Sequence, residues 1–357
     1  MVDNICSPGD KEKLSLAAIN IIVSALSLIG SLLTIISFLW KRIRTYRVEK
    51  EREKSLYSVT NGSSSEYING APSSTSKQPT SKLPILIFFL SISDFFTSLF
   101  IIISQAYLIG DSESYTDSTP LRYHLNFSPC ILFRALIQFF FLSTFFWTTC
   151  ISYYLYHQLS SPDKENHLMY IFNGISWGIP FAIILGLGLG NHFIMDPTTG
   201  WCEVTKTYEF TLWFLPLFIC LVLCTVYYIK LRRLFRSKFE YRLQINDRLK
   251  QLDSTISRRL TLYIIVFIIC WLPDVVQHFI SLFSTCSFFP LMILQNILAP
   301  SQGFWNFWVY SFTNKVVRIQ HPFGGNGSNN NTNPSTNPTP GGGSGKYTND
   351  ETKRLLP

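Results

Sequence analysis

Between Leu14 and Trp40 there is no charged side chain. A helix that crosses the hydrocarbon core of a bilayer needs roughly 20 apolar residues without unpaired charge, and this run meets that need. Five further stretches behave alike. Leu83–Gly110 carries only Asp94, while Ala135–Pro162, Leu168–Met195 and Phe210–Ile229 carry no Asp, Glu, Lys or Arg. Leu260–Phe312 is interrupted only by Asp274. At about 1.5 Å per residue it is too long for one pass, and the stretch Ser284–Pro290 divides it in two. These runs lack the alternation of a transmembrane β-strand. The expected fold is therefore an all-α membrane protein, a seven-transmembrane-helix bundle with helices near 14–40, 83–110, 131–156, 168–192, 208–230, 259–283 and 291–312. A short outer segment, 1–13, precedes it and a tail, 313–357, follows. Only 15% of residues are charged, against about 25% in soluble domains, and Phe, Tyr and Trp make up another 15%.

Lys and Arg in the loops set the expected orientation, because cytoplasmic loops retain them. Loop 41–82 holds nine and the segment 230–259 holds ten; with Lys164 and five in the tail, 25 of the 30 lie on one side. The other side has Lys11, Lys13, Arg122, Lys206 and Arg134. The N-terminus is thus expected outside and the C-terminus inside. The net charge of +8 is a topology signal, and no nucleic-acid partner is implied. The first run is longer than a signal-peptide core and is followed at once by Lys41 and Arg42, so it reads as a signal anchor.

The soluble segments differ in kind. Residues 58–81 are rich in Ser, Thr, Asn and Pro, as is the Gly-rich stretch 321–346, and neither can bury a core. Loop 231–258 contains no Pro or Gly, and Leu231, Leu234, Phe235 and Phe239 recur at helical spacing, as do Ile245, Leu249, Leu252 and Ile256. Helices five and six are expected to continue into the cytoplasm as amphipathic extensions, with a helix lying on anionic lipid as the alternative. Arg232 and Arg233 at one base, and Arg258 and Arg259 at the other, are candidates for contact with a cytoplasmic partner.

Four of eight cysteines, Cys6, Cys130, Cys202 and Cys286, fall on the outer side, where disulfides persist. A Cys130–Cys202 bridge would pin the loop between helices four and five across the bundle mouth, and leaves Cys6 with Cys286 as the remaining pair. Asn126 opens an outer N-glycosylation sequon.

Seven-helix bundles host unrelated functions. A retinal protein needs a Schiff-base lysine in the last helix, and 291–312 contains none. Membrane zinc hydrolases gather several His and carboxylate ligands at one depth, whereas only His278 of six histidines falls well inside a span; no metal, cofactor or catalytic residue is expected. A secondary transporter would show repeats and paired broken helices, and no two-fold repeat is visible. A small-molecule transporter or channel stays the alternative to a receptor.

The buried polar residues are the remaining signal. Asp94 lies mid-span, where a charge costs roughly 2.5–3.5 kcal/mol on insertion scales, so it must face the bundle interior. Asp274, Gln277 and His278 sit in the outer half of helix six, and Arg134 and Gln138 share a face near the outer end of helix three. These five could line an outer ligand pocket. Snorkelling of Arg134 to the headgroups and plain packing of His278 are the competing readings.

Five strings in order carry a resemblance: Trp147-Thr-Thr-Cys150, Trp177-Gly-Ile-Pro180, Gly200-Trp-Cys202, Tyr263-Ile-Ile-Val-Phe-Ile-Ile-Cys-Trp271 and Ser301-Gln-Gly-Phe-Trp305. Together they span about residues 130–310 and resemble the cyclic AMP receptor-like family, the class E G-protein-coupled receptors. Asp94 looks like that family's acidic residue in helix two. The resemblance implies a multi-pass plasma-membrane receptor and transducer that activates heterotrimeric G proteins, with chemotactic signalling as its setting. It also implies the Cys130–Cys202 disulfide. Cyclic AMP is one ligand it admits; the ligand itself is not readable from the sequence. Loop 41–82 is longer than the family's usual short turn. Pro273 after Cys270-Trp271-Leu272 resembles the hinge of rhodopsin-like receptors, whose Asp-Arg-Tyr and Asn-Pro-x-x-Tyr motifs are absent here. Pro273 removes a backbone hydrogen bond and is expected to kink helix six beside Trp271, making Asp94, Trp271 and Pro273 the candidate switch.

Overall fold

The computed structural model describes residues 10–62, 82–112, 120–160, 167–195, 202–242, 247–283 and 289–320. The expected pairing of Cys6 with Cys286, the tail from 321 and most of the Ser/Thr-rich stretch lie outside these residues, as does the side chain of Asn126. Ten helices and one hairpin make up the described chain. Helix α1 is Asp10–Gly62, α2 Leu83–Ser112 and α3 Pro120–Ser160. Then α4 (Leu168–Asn173) runs through a π-turn at Gly174–Gly178 into α5 (Ile179–Leu189). Strands β1 (Phe193–Met195) and β2 (Cys202–Val204) pair antiparallel, Phe193 opposite Val204 and Met195 opposite Cys202. Next, α6 (Lys206–Glu209) passes through a π-turn at Phe210–Phe214 into α7 (Leu215–Arg242). Helices α8 (Asp247–Phe283), α9 (Phe289–Leu298) and α10 (Gln302–Gln320) complete it.

Six of these segments are long and apolar enough to cross a membrane, and the protein is an all-α, multi-pass membrane protein. The stretch expected as one further span, 291–312, is instead two helices that break at Ala299–Ser301. Pro300 has no N–H to donate, so α9 ends with the Ala299 amide bonded to the Gln295 carbonyl at 3.0 Å. The two π-turns have the same origin. Each lies just before a proline, Pro180 or Pro216, and a widened turn accommodates the ring and the carbonyl it leaves unbonded. Across Pro273, by contrast, α8 is unbroken.

Helix α1 continues past Trp40, its expected end, to Gly62. Residues 41–57 contain neither Gly nor Pro, and Arg47–Glu51 and Lys50–Glu53 sit at supporting helical spacings. The packing order closes a ring: α1 against α2, α2 against α3, α3 against α7, α7 against α8, and α8 against α10, which returns to α1. The α4–α5 unit packs on the outside of α3.

Lipid as solvent turns the usual pattern inside out. Ile22, Leu26 and Ile29 of α1, Ile219 and Val222 of α7, and Leu272 and Val276 of α8 are exposed. On α1 it is Asn20, Ser24, Ser27, Ser31 and Thr34 that are buried, one stripe at helical spacing. Small residues let α1 and α10 approach closely. A Cβ at Gly30 would lie 2.9 Å from the Phe304 Cα, and one at Gly303 would lie 2.6 Å from the Ser27 Oγ. The apolar core is where α3, α7 and α8 meet, around Leu142, Phe145, Leu217, Phe267 and Trp271.

Candidate functional site: a cavity above Trp271

Chain irregularities at one end of the ring leave a cavity of about 330 Å³. The Cys130–Cys202 disulfide joins the start of α3's apolar stretch to β2, and this carries Glu203 into the cavity wall. The π-turn at Phe210–Phe214 brings Trp213 into the lining, while the break at Pro300 ends α9 just after Gln295 and Asn296.

Asp274 of α8 is the hub. It is 1% exposed, and its two oxygens accept from different elements: Oδ2 from Trp213 Nε1 at 3.3 Å, and Oδ1 from Gln295 Nε2. His278, one turn on, places Nδ1 2.9 Å from the Asp274 carbonyl oxygen and 3.8 Å from Oδ1. Its ring stacks on Phe214 at 5.4 Å. Across the cavity Arg134 meets Glu209 at 3.6 Å, an ion pair tying α3 to α6. Asn20 of α1 donates to Asn296 Oδ1 at 2.9 Å, which closes the wall between α1 and α9.

Of the five residues expected to line a pocket, Arg134, Asp274 and His278 do so. Gln138 and Gln277 do not. Gln138 is 1% exposed, with both amide atoms unpartnered among the described residues, and Gln277 is buried beside the site with its Oε1 unpartnered. Sequence reasoning missed Asn20, Gln105, Trp213, Gln295 and the two glutamates. Four of these six are uncharged, so they do not interrupt the charge-poor runs that mark the spans.

Beneath the cavity lies a second polar layer. Trp271 forms the floor, packed edge-on against Phe141 and Phe145 with ring centroids 5.1 and 4.4 Å away. Its Nε1 donates to Gln302 Oε1 at 2.6 Å, linking α8 to the first turn of α10. One turn further along α10, Asn306 donates to Asp94 Oδ2 at 2.7 Å, while Thr144 of α3 donates to Asp94 Oδ1 at 3.2 Å. Asp94 therefore fastens α2, α3 and α10 at a single buried point. Pro273 is buried between Trp271 and Asp274, so the floor, the hinge candidate and the hub fall within one helical turn.

At the opposite end Tyr153 and Tyr156 of α3 pack against Tyr227 of α7 at 5.6 and 5.9 Å. Lys230 Nζ lies 5.6 Å above the Tyr156 ring. Arg232 and Arg233 are exposed on α7; Arg258 and Arg259 lie in α8, with side chains outside the described residues. Among the described residues no group of three or more His, Cys, Asp or Glu is placed to hold a metal ion.

A family model described as Transmembrane protein 116 matches residues 190–328. Cyclic AMP receptor-like protein C of Dictyostelium discoideum is 60% identical over 343 residues, which is 88% of this chain and 95% of that protein. Cyclic AMP receptor-like protein B of the same organism is 30% identical over 244 residues, 67% of this chain and 52% of the relative. A shorter match, 35% over 86 residues, covers 22% of this chain and 26% of G-protein coupled receptor 157 of Rattus norvegicus.

Proposed function

The chain belongs to the cyclic AMP receptor-like family of G-protein-coupled receptors, and on that premise we propose that it is a plasma-membrane receptor of seven spans that binds a small molecule in the cavity above Trp271 and activates a heterotrimeric G protein. It is a receptor-family member and not an enzyme. In this reading α9 and α10 together form the seventh span, the N-terminus is outside, and the 25 Lys and Arg of one side mark the cytoplasm.

The observation that carries the reading is the position of Trp271. A ligand that touches it acts on a residue bonded to α10 through Gln302 and two residues from Pro273. A ligand shifts a two-state equilibrium only by its differential affinity for the two states, and Trp271 offers that difference: its edge-on packing against Phe141 and Phe145 must change if α8 turns. Rotation of α8 at Pro273 would carry its cytoplasmic end, with Arg258 and Arg259, away from α3 and open a cleft for the G protein. Arg232 and Arg233, exposed on α7, border that cleft.

Guanine-nucleotide exchange tests this in cells displaying the chain, titrated first with cyclic AMP and then with related nucleotides and pterins. Exchange should rise with surface level and rise further with an effective ligand. Solute uptake or current without any exchange would establish the transporter alternative. Replacing Pro273 by Ala restores the missing backbone donor within α8; basal exchange at equal surface level should change several-fold. Unchanged basal and stimulated exchange would remove the hinge.

A further inference from the structure

We propose that the cavity above Trp271 is built for a small organic cation, a protonated amine, and not for a phosphate-bearing nucleotide. The inference rests on the receptor reading for its consequence, but its chemistry comes from the lining alone. Besides Glu203, the ionisable side chains that line the cavity are Glu209 and Asp274, one guanidinium, Arg134, and one imidazole, His278. The guanidinium is already compensated, since Glu209 lies 3.6 Å from it. A phosphate arriving at Arg134 would have to share it with that carboxylate and would also lie in the field of Asp274.

Asp274 argues for the opposite charge. Both its oxygens accept from neutral donors, Trp213 Nε1 and Gln295 Nε2, and the near nitrogen of His278 is closer to the backbone carbonyl than to the carboxylate. A carboxylate this deeply buried needs a counter-charge, and the space beside it is open. An ammonium there keeps Asp274 ionised and offsets its desolvation. Trp213 and Trp271, whose ring centroids are 6.0 Å apart, both line the same space. Their π-faces attract a cation and repel an anion.

A separate observation points the same way. Gln105 is 2% exposed and lines the cavity, yet its Oε1 accepts nothing among the described residues. Leaving a buried acceptor open is costly, and an N–H of a bound amine removes that cost. Among the described residues Arg134 Nε is a buried cavity donor with the opposite need, which a hydroxyl or ether oxygen of the ligand satisfies without adding charge. The volume, about 330 Å³, lies at the lower end for small-molecule sites.

The test uses probes that differ in charge on closely similar skeletons. Thermal unfolding of the full-length receptor in lipid nanodiscs is measured with 2-phenylethylamine, 2-phenylethanol, phenyl phosphate and cyclic AMP at equal millimolar concentration. The amine should raise the midpoint by about 2 °C or more above the alcohol, and the two anions should not. In Asp274→Asn the amine's affinity should fall at least ten-fold, to that of the alcohol. Should that variant fold poorly, Glu209→Gln serves independently: freeing Arg134 should weaken the amine and strengthen phenyl phosphate. An anion that stabilises the parent receptor more than the amine, or an amine no better than the alcohol, would overturn the proposal. Basal guanine-nucleotide exchange is recorded on the same preparations. Exchange without amine preference leaves the receptor reading standing and the cation site refuted; amine preference without exchange does the reverse.

Discussion

Replacing Asp94 with Ala should abolish most stimulated G-protein exchange and lower stability by about 2 to 4 kcal/mol. The side chain holds two buried donors, the Thr144 hydroxyl and the Asn306 amide, and Ala leaves both without an acceptor in a site with little access to water. Each orphaned group costs about 1–3 kcal/mol. The loss also unfastens α10 from α2 and α3 at the level directly beneath Trp271 and Gln302, so the floor of the cavity no longer acts on a fixed point. Asp94→Asn should be far milder. One oxygen still accepts, and the Asn306 amide can turn over to present its own oxygen to the new NH₂ group. Thermal unfolding in nanodiscs, read beside exchange at equal surface level, separates the two variants. Equal behaviour of Ala and parent would show that the three-helix junction carries no load in signalling.

Breaking the disulfide with Cys202→Ser is the second large effect. The bridge closes a loop of 72 residues in sequence separation, for which chain entropy alone gives about 4 kcal/mol. Membrane insertion already restricts α3, α4 and α5, so a loss of about 2 kcal/mol is the expected result. The functional cost is larger. β2 is three residues long, and once released it takes Glu203 from the cavity wall and lets water reach Trp213 and Asp274. Ligand-stimulated exchange should fall at least ten-fold while basal exchange persists. Cys130→Ser should match Cys202→Ser in both readouts, and the double variant should add nothing. Additive losses would mean that the two cysteines act separately.

Much of the fold was legible because lipid imposes one strong rule. The run Leu83–Gly110, charged only at Asp94, lies within α2, Leu83–Ser112, since every backbone group must bond inside its own segment and apolar length is enough to find it. What hydropathy could not give was the inner face. Ser and Thr bond back to carbonyls one turn earlier, as Ser31 and Thr34 do on α1, so a buried hydroxyl stripe leaves an apolar run looking unbroken. The spacing of Asn20, Ser24, Ser27, Ser31 and Thr34 was nevertheless written in the sequence. Proline marked several helix irregularities but not their form: Pro180 and Pro216 follow π-turns, Pro300 separates two helices, and Pro273 sits in a continuous one. Neighbouring packing decides among these, and one helix read alone does not contain it.

The site divides in the same way. Arg134, Asp274 and His278 stood out because charge or imidazole near a span is costly and must be housed. Gln277 was placed with them on spacing, but at about 100° per residue it lies on the opposite side of Asp274 from His278, and the cavity falls on the His278 side. Trp213, Gln295 and Gln105 carry no charge, and only the assembled helices bring them to Asp274 or to the cavity it faces.

In the proposed mechanism the cavity floor is coupled to an opening at the cytoplasmic end of α8. Spin labels at Gln158→Cys on α3 and Thr261→Cys on α8 measure that opening directly in the full-length receptor, with and without nucleotide-free G protein. Coupling predicts a longer distance in the G-protein complex, and a return to the short distance when Trp271→Leu cuts the bond to Gln302. A distance unchanged by G protein, in a preparation that still exchanges nucleotide, would rule that coupling out.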